Sequence, residues 1–298
     1  MNEQPRWLEA LRCCRRAVGG RYRGLRLEVA LGIIALRERQ LLLHARRSFE
    51  CQREQPQRPL VSVTIPTYNR GRLLAVRTLP SVLNQTHENL EIVIVGDCCE
   101  DDTEERIARL ADPRIRFCNL PERGRYPEHP LHRWMVAGSV PVNRALQLAR
   151  GEWLAYLDDD DVFTPDHIET LLAFAVRGDY ELVFGRHKYE KAPGVWAEHG
   201  GPRMPTGHLR ARRDDTVVPH SSVMYRSYLR SFEYLLHSWR YGLPADYLLW
   251  RRMGRAGVRA GFLDQVVSLG PLRPGEMMLT PAAIRLAMDA ELRHASRS

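Results

Sequence analysis

The stretch Trp153-Leu154-Ala155-Tyr156-Leu157-Asp158-Asp159-Asp160-Asp161 decides the fold class. Five apolar residues read as a buried strand that runs straight into four carboxylates. Crowded carboxylates repel, so either some take up protons or a cation neutralises them. Hard oxygen ligands suit Mg²⁺ or Mn²⁺, which also bridge phosphate oxygens of a substrate. In an extended chain alternate side chains share a face, which groups Asp158 with Asp160 and turns Asp159 elsewhere. The competing reading is a solvated acidic turn with Asp161 capping a helix. An EF-hand is excluded, because its Gly and closing Glu are missing.

Working outward, Pro141 to Ala149 has helical spacing with Gly151 as its stop, and Thr164-Pro165 opens the next helix with Thr164 as N-cap. Upstream, Leu60 to Pro66 is a β-branched run ended by proline, a second buried strand covers Leu90 to Gly96, and a third covers Ile115 to Leu120. Between them lie helical spacing over Leu73 to Leu83, with Pro80 as a kink or stop, and a short helix from Thr103 to Leu110. A Pro-, Gly- and Arg-rich loop spans Pro121 to Ser139. Strand and helix alternate over short connections, which predicts an α/β domain with a mostly parallel sheet flanked by helices. Ligands of such sheets bind beyond the carboxyl ends of the strands. Three candidate sites fall there: Thr67-Tyr68-Asn69-Arg70, Asp97 and Asp158 to Asp161.

The first 55 residues read as an amphipathic helical extension, weakened at Gly32, and Gln55 to Pro59 as a linker. The net charge of +8 is concentrated here: residues 1–58 hold 13 Arg against 6 Glu, a net of +7. The remainder is close to neutral, so a nucleic-acid-binding body is not indicated. Only Lys188 and Lys191 are lysines, a bias read as base composition. Cys13, Cys14, Cys51, Cys98, Cys99 and Cys118 show neither metal spacing nor a disulfide framework, and free thiols in a reducing cytoplasm are expected. No secretory leader is read at the start, and no apolar stretch is long enough to span a bilayer.

Taken together, three segments resemble family 2 glycosyltransferases, which have the GT-A fold. They are Val61 to Arg70, Glu91 to Thr103 with Asp97 and Asp101-Asp102-Thr103 in register, and Asn143 to Asp161 as the block covering the DxD motif. The resemblance is continuous over about residues 60–185. It implies a GT-A, Rossmann-like sheet and donor-binding roles for Pro66, Thr67, Tyr68, Asn69, Arg70, Asp97, Asn143, Asp158 and Asp159. Thr67 and Tyr68 would lie against the base, Asp97 would hydrogen-bond it, commonly as uracil, and Asp159 would meet ribose or diphosphate. Asp160 with Asp158 would hold Mn²⁺ or Mg²⁺, with His220 as a weaker candidate ligand that is otherwise a hydrogen-bonded structural residue. The implied donor is a nucleoside-diphosphate sugar, with UDP favoured. The implied acceptor is a glycan, a lipid-linked acceptor or a small molecule.

Relatives often carry Asp-Asp-Gly-Ser after the second strand, whereas this chain has Gly96-Asp97-Cys98-Cys99. Further on, Leu243 to Trp250 resembles the family's Glu-Asp motif with its trailing Trp, although Ala245 replaces the Glu. Asp246 would then be the general base for an inverting transfer; the alternative makes it the N-cap of a helix from Tyr247 to Met253. Arg123 to Pro127 and Arg133-Trp134 are candidates to cover the donor, and Arg251, Arg252 and Arg255 read as ordinary helix charges. No Gly-rich phosphate loop is present, which argues against an oxidoreductase or ATPase. Nucleotidyltransferases and a non-catalytic nucleotide-sugar-binding module are the rival functions. The expected organisation is a basic extension over 1–57, a donor-binding half over 58–185 and an acceptor half over 186–298. The expected location is cytoplasmic, with the N-terminal helix touching a membrane surface at its inner face or a second copy.

Overall fold

The computed structural model describes residues 32–49, 58–202 and 218–272. Nine strands form one sheet: β1 (Val61–Thr67), β2 (Leu90–Gly96), β3 (Ile115–Asn119), β4 (Trp153–Tyr156), β5 (Val162–Phe163), β6 (Leu182–Ala192), β7 (Val195–His199), β8 (Val223–Arg226) and β9 (Ala260–Gly270). Their order is β3-β2-β1-β4-β8-β6-β9-β5, with β7 paired to β6. The strands β3, β2, β1 and β4 are mutually parallel, and β8 runs antiparallel to both β4 and β6. This is the expected α/β architecture.

The central strands are rich in apolar residues because both sheet faces are covered. Every residue of β1 and β2 is buried. Alternation then sends Val61, Val63 and Ile65 of β1, with Trp153, Ala155 and Leu157, into one core layer with Leu74, Leu79, Val82, Ile168 and Leu171. Leu154 and Tyr156 turn to the opposite layer, with Val142, Leu146, Leu249, Trp250 and Leu42. Each such side chain contributes about 1.5–3 kcal/mol by leaving water.

Register aligns the strand ends. Thr67 is level with Gly96 across β1 and β2, so Tyr68 stands beside Asp97. Thr64 is level with Tyr156, which brings Thr67 opposite Asp159 three residues further on. All three candidate segments therefore meet at one edge of the sheet.

Several boundaries differ from the sequence expectation. The helix after β1 runs Gly71–Leu73, passes through a π-helical stretch at Leu74–Thr78 and resumes at Leu79–Leu83. Pro80 lies in the first turn of that last piece, where its missing N–H is tolerated, so it neither ends nor breaks the path. The loop after β3 contains a helix, Pro130–Val136, also opened by proline. Thr164 does not cap the next helix: Thr164 Oγ1 donates to the Val267 carbonyl and the helix starts at His167. Gly151 is not the stop of helix Ser139–Leu148, whose C-cap is Ala149. A Cβ at Gly151 would lie 2.7 Å from the Ser62 backbone nitrogen, so close approach between strands is what requires glycine there. The expected division near Gly185 falls inside β6, so both halves share one sheet.

Residues 32–49 are helical and dock on this body. Leu42 is fully buried in the second layer. Glu38 pairs with Arg252, Arg46 reaches Glu181 at 2.5 Å, and Phe49 packs on Tyr228 at 5.2 Å between ring centres. Arg251 and Arg252 are buried, contrary to the reading of ordinary helix charges.

Candidate active site

The acidic run does not continue as a strand. It turns at Asp159 and Asp160, and the Asp161 backbone nitrogen donates to the Asp158 carbonyl at 3.2 Å. The expected pairing of Asp158 with Asp160 on an extended face is thereby replaced. Asp159 and Asp160 converge on one guanidinium: Arg70 Nη1 lies 3.1 Å from Asp159 Oδ1 and 3.2 Å from Asp160 Oδ2. Asp158 is held from two sides, by the Tyr156 hydroxyl at 2.7 Å and the Ser221 hydroxyl at 3.2 Å.

The turn is braced from the helix after β1. Thr78 Oγ1 donates to the Asp159 carbonyl at 2.9 Å, and Arg77 donates to the carbonyls of Asp160, Pro271 and Leu272. Thr67 Oγ1 donates to Asp159 Oδ2 at 2.8 Å. Burial raises the Asp159 carboxyl to about 6; Arg70 opposes this and the neighbouring Asp160 charge adds to it. Two buried carboxylates facing one cation are a donor set suited to a hard divalent ion. Among the described residues no three acidic, His or Cys side chains form a metal-holding group. That fits Mg²⁺-type sites, which take one or two carboxylates and complete the shell with water and substrate phosphate.

The second strand end carries the other subsite. Asp97 is buried and accepts the Gly124 N–H at 2.9 Å. Arg123 Nε lies 3.9 Å from Asp97 Oδ2, and its guanidinium sits 3.6 Å from the centre of the Tyr68 ring. Asn69 adopts a left-handed φ of 51° and its Oδ1 accepts the Glu100 N–H at 2.9 Å, tying the first strand end to the second. Gly96 is required by its neighbour: a Cβ there would meet Asn119 Oδ1 at 2.5 Å, so the Asn119 amide fills the space a longer residue would take. Cys98 has a left-handed φ of 60°. Pro66 is a buried strand residue below this surface.

The third group links Asp158 to His220 and Tyr234. Tyr156, which holds Asp158, stacks on His220 at 3.4 Å between ring centres. His220 Nε2 lies 2.7 Å from the Tyr234 hydroxyl. Burial lowers His220 to about 4, opposed by the negative charge of Asp246. Its ring is thus neutral and built into an aromatic wall with Trp250, 5.8 Å away edge-on. Its Nε2 is thus engaged by Tyr234, on the wall beside Asp158. The Asn143 amide donates to the Tyr234 carbonyl and accepts the Tyr234 N–H, both at 2.9 Å, so it positions Tyr234. Asp246 stands in the first turn of helix Ala245–Ala256, whose N-cap is Pro244, and is not itself the cap. Tyr156, Ser221, Tyr234, Arg77 and Thr78 were not picked out by sequence; only Tyr156, two residues before Asp158, carried a local signal.

A mostly parallel sheet carrying Tyr68, Asp97 and an acidic turn at its carboxyl edge is the GT-A arrangement. The model of glycosyl transferase family 2 matches residues 62–127 and 135–235, more than half of the chain, and the protein belongs to that family. It is 36% identical over 118 residues to WcaA of Escherichia coli K12, a glycosyl transferase named for colanic acid biosynthesis; the match covers 39% of this chain and 37% of WcaA. It is 30% identical over 176 residues to the GalNAc(5)-diNAcBac-PP-undecaprenol beta-1,3-glucosyltransferase of Campylobacter jejuni, covering 58% of this chain and 52% of that one. The matched part is therefore well under two thirds of either relative. Among solved structures, S. aureus TarS 1-349 in complex with UDP-GlcNAc superposes with a TM-score of 0.55 at 20% identity, over 78% of this chain and 66% of that one.

Proposed function

We propose that this protein transfers a sugar from a UDP-sugar to an acceptor hydroxyl with inversion at the anomeric carbon. The observation that carries the reading is the meeting of Tyr68, Asp97 and the Asp159–Asp160 turn at one sheet edge. Tyr68 offers a face for the base, and Asp97 an acceptor for its N–H. Thr67, Asp159 and Arg70 lie where ribose and diphosphate follow. Asp160 with Asp159, the two carboxylates the turn brings together, would hold Mg²⁺ or Mn²⁺, which would supply leaving-group stabilisation by neutralising diphosphate charge. Domain halves meeting along β6 would then divide donor from acceptor.

In the transfer step Asp246 takes the proton of the acceptor hydroxyl. The hydroxyl oxygen forms its bond to the anomeric carbon from the face opposite the nucleotide. The bond from that carbon to the diphosphate oxygen breaks, and its electron pair leaves with UDP. Arg70 stands next to the carboxylates and is placed to turn toward that leaving charge. The UDP complexes of TarS and the undecaprenol-diphosphate acceptor in the C. jejuni relative's name support a UDP donor and a lipid-linked acceptor.

A thermal-shift comparison of UDP, GDP and dTDP, each with and without Mn²⁺, tests the reading. UDP with Mn²⁺ should stabilise the fold most. If none of the nucleotides stabilises it in the presence of metal, the proposed donor site is wrong.

A further inference from the structure

We propose that the outward face of the helix over residues 32–49 docks on an anionic lipid surface. The helix lies outside the residues that match the family. Its inward face is committed to the enzyme body by Leu42, by Glu38 on Arg252, by Arg46 on Glu181 and by Phe49 on Tyr228. The opposite face carries large apolar residues that water reaches: Ile33 is 65% exposed, Leu36 67% and Leu43 44%; Leu41, 45% exposed, lies on the flank. A turn of 100° per residue places Ile33, Leu36, Gln40 and Leu43 in one stripe. Exposed Arg37, Arg39 and His44 flank it, and exposed Arg47 continues the stripe one turn on.

Charge selects the occupant. The helix has one acidic residue, Glu38, and it is buried against Arg252. The outward face is therefore apolar and basic with no negative charge. Arginine can bury its aliphatic stem beside leucine and extend its charge to phosphate, as interfacial helices do. A second copy of the chain is a poorer fit. Across a two-fold axis each arginine-rich face would meet the same face. Nucleic acid leaves the leucines without a partner. The helix is not long and apolar enough to cross a bilayer, so it would lie along the surface.

The docking contacts also fix how the catalytic body stands on that surface. Arg252, which holds Glu38, lies in the same helix as Asp246. A lipid-bound helix would thereby set the orientation of the proposed base relative to the membrane plane. The lipid contact itself does not rest on the donor chemistry.

The test is co-sedimentation of the full chain with vesicles of phosphatidylcholine alone or mixed with phosphatidylglycerol. The parent protein should pellet with the mixed vesicles and not with phosphatidylcholine alone. The double variant Leu36→Glu, Leu43→Glu should lower the partition at least about tenfold, since burial of the apolar face and attraction to anionic lipid both contribute. Its melting temperature and its UDP-induced thermal shift should be unchanged. A second variant, Arg37→Gln, Arg39→Gln, Arg47→Gln, should weaken binding and make it insensitive to salt. Absence of pelleting by the parent overturns the proposal. So does parent-like pelleting of both variants, which would assign the contact to another segment. A dimer in light scattering that the leucine variant dissolves, without vesicle binding, would assign the face to self-association.

Discussion

The Arg123 guanidinium rests 3.6 Å from the centre of the Tyr68 ring, the distance of a stacked pair. Its neighbour Gly124 donates to Asp97, the carboxylate proposed to read the base. The loop thus occupies both the stacking face and the hydrogen-bonding edge of the proposed base subsite. A base entering there must lift Arg123 and replace the Gly124 N–H. Arg123→Ala is expected to raise the association rate constant for UDP in stopped-flow binding. Tyr68→Ala is expected to weaken UDP binding roughly 5- to 100-fold, the range of one lost base–aromatic stack. An unchanged affinity in Tyr68→Ala would move the base elsewhere.

Asp246→Asn should leave the UDP-sugar affinity close to that of the parent and lower kcat by roughly 10²- to 10⁴-fold, as loss of a general base does. Full turnover in that variant would remove Asp246 from the mechanism. Retained donor binding with no turnover in the parent would instead favour a non-catalytic binding module.

Asp160→Asn separates metal binding from nucleotide binding. The Mn²⁺-dependent part of the UDP thermal shift should disappear, and the metal-independent part should remain. If the difference between shifts with and without Mn²⁺ is the same in parent and variant, Asp160 is not a ligand.

Cys98 has a positive φ, a conformation that favours glycine. Cys98→Gly removes that strain but adds freedom to the unfolded chain. The net expectation is a gain of about 0.5–1 kcal/mol in urea denaturation. An equal gain in Cys98→Ala would trace the effect to the thiol and not to the backbone.

Burial holds His167, His187, His199 and His220 at about 4, 3, 4 and 4, below the ordinary 6.5; the charge of His199 also lowers His187. The unfolded chain binds protons at these positions as pH falls through about 6.5, whereas the folded chain does so only near pH 4. Stability should therefore decline from about pH 7 to pH 4 and be insensitive to these groups above that window. Asp159, raised to about 6, acts in the opposite sense over the lower part of the window, as do Glu38 and Glu152, both also raised by burial. Melting temperatures across this range check the sign, and His167→Asn should flatten the slope.

The strands and the sheet edge were legible because β-branched runs and their abrupt polar ends are local signals. Thr67, Tyr68, Asp97 and the acidic run could be placed at one edge from strand order alone. What was not legible depends on contacts between distant segments. The Asn143 amide is consumed by Tyr234, 91 residues away. His220 is sealed by Tyr156 and Tyr234, and Arg252 is buried because Glu38 lies 214 residues upstream. The grouping within the acidic run failed for a different reason. Alternation holds for a strand, and the chain had already turned. Arg70, three residues beyond β1, meets Asp159 and Asp160 together only because of that turn.

The π-helical stretch at Leu74–Thr78 has a consequence for insertions and deletions. It spends one residue more per turn than an α-helix needs, and it does so between Arg70, which grips the two carboxylates, and Arg77 with Thr78, which brace their backbone. Removing one residue there would give a tidier helix and still leave Leu79 and Val82 a path to the core. It would also advance one set of contacts by about 100° relative to the other. The surplus residue works as a spacer that keeps two grips on one loop in phase, so a shortened, more regular helix should be the better folder and the poorer enzyme.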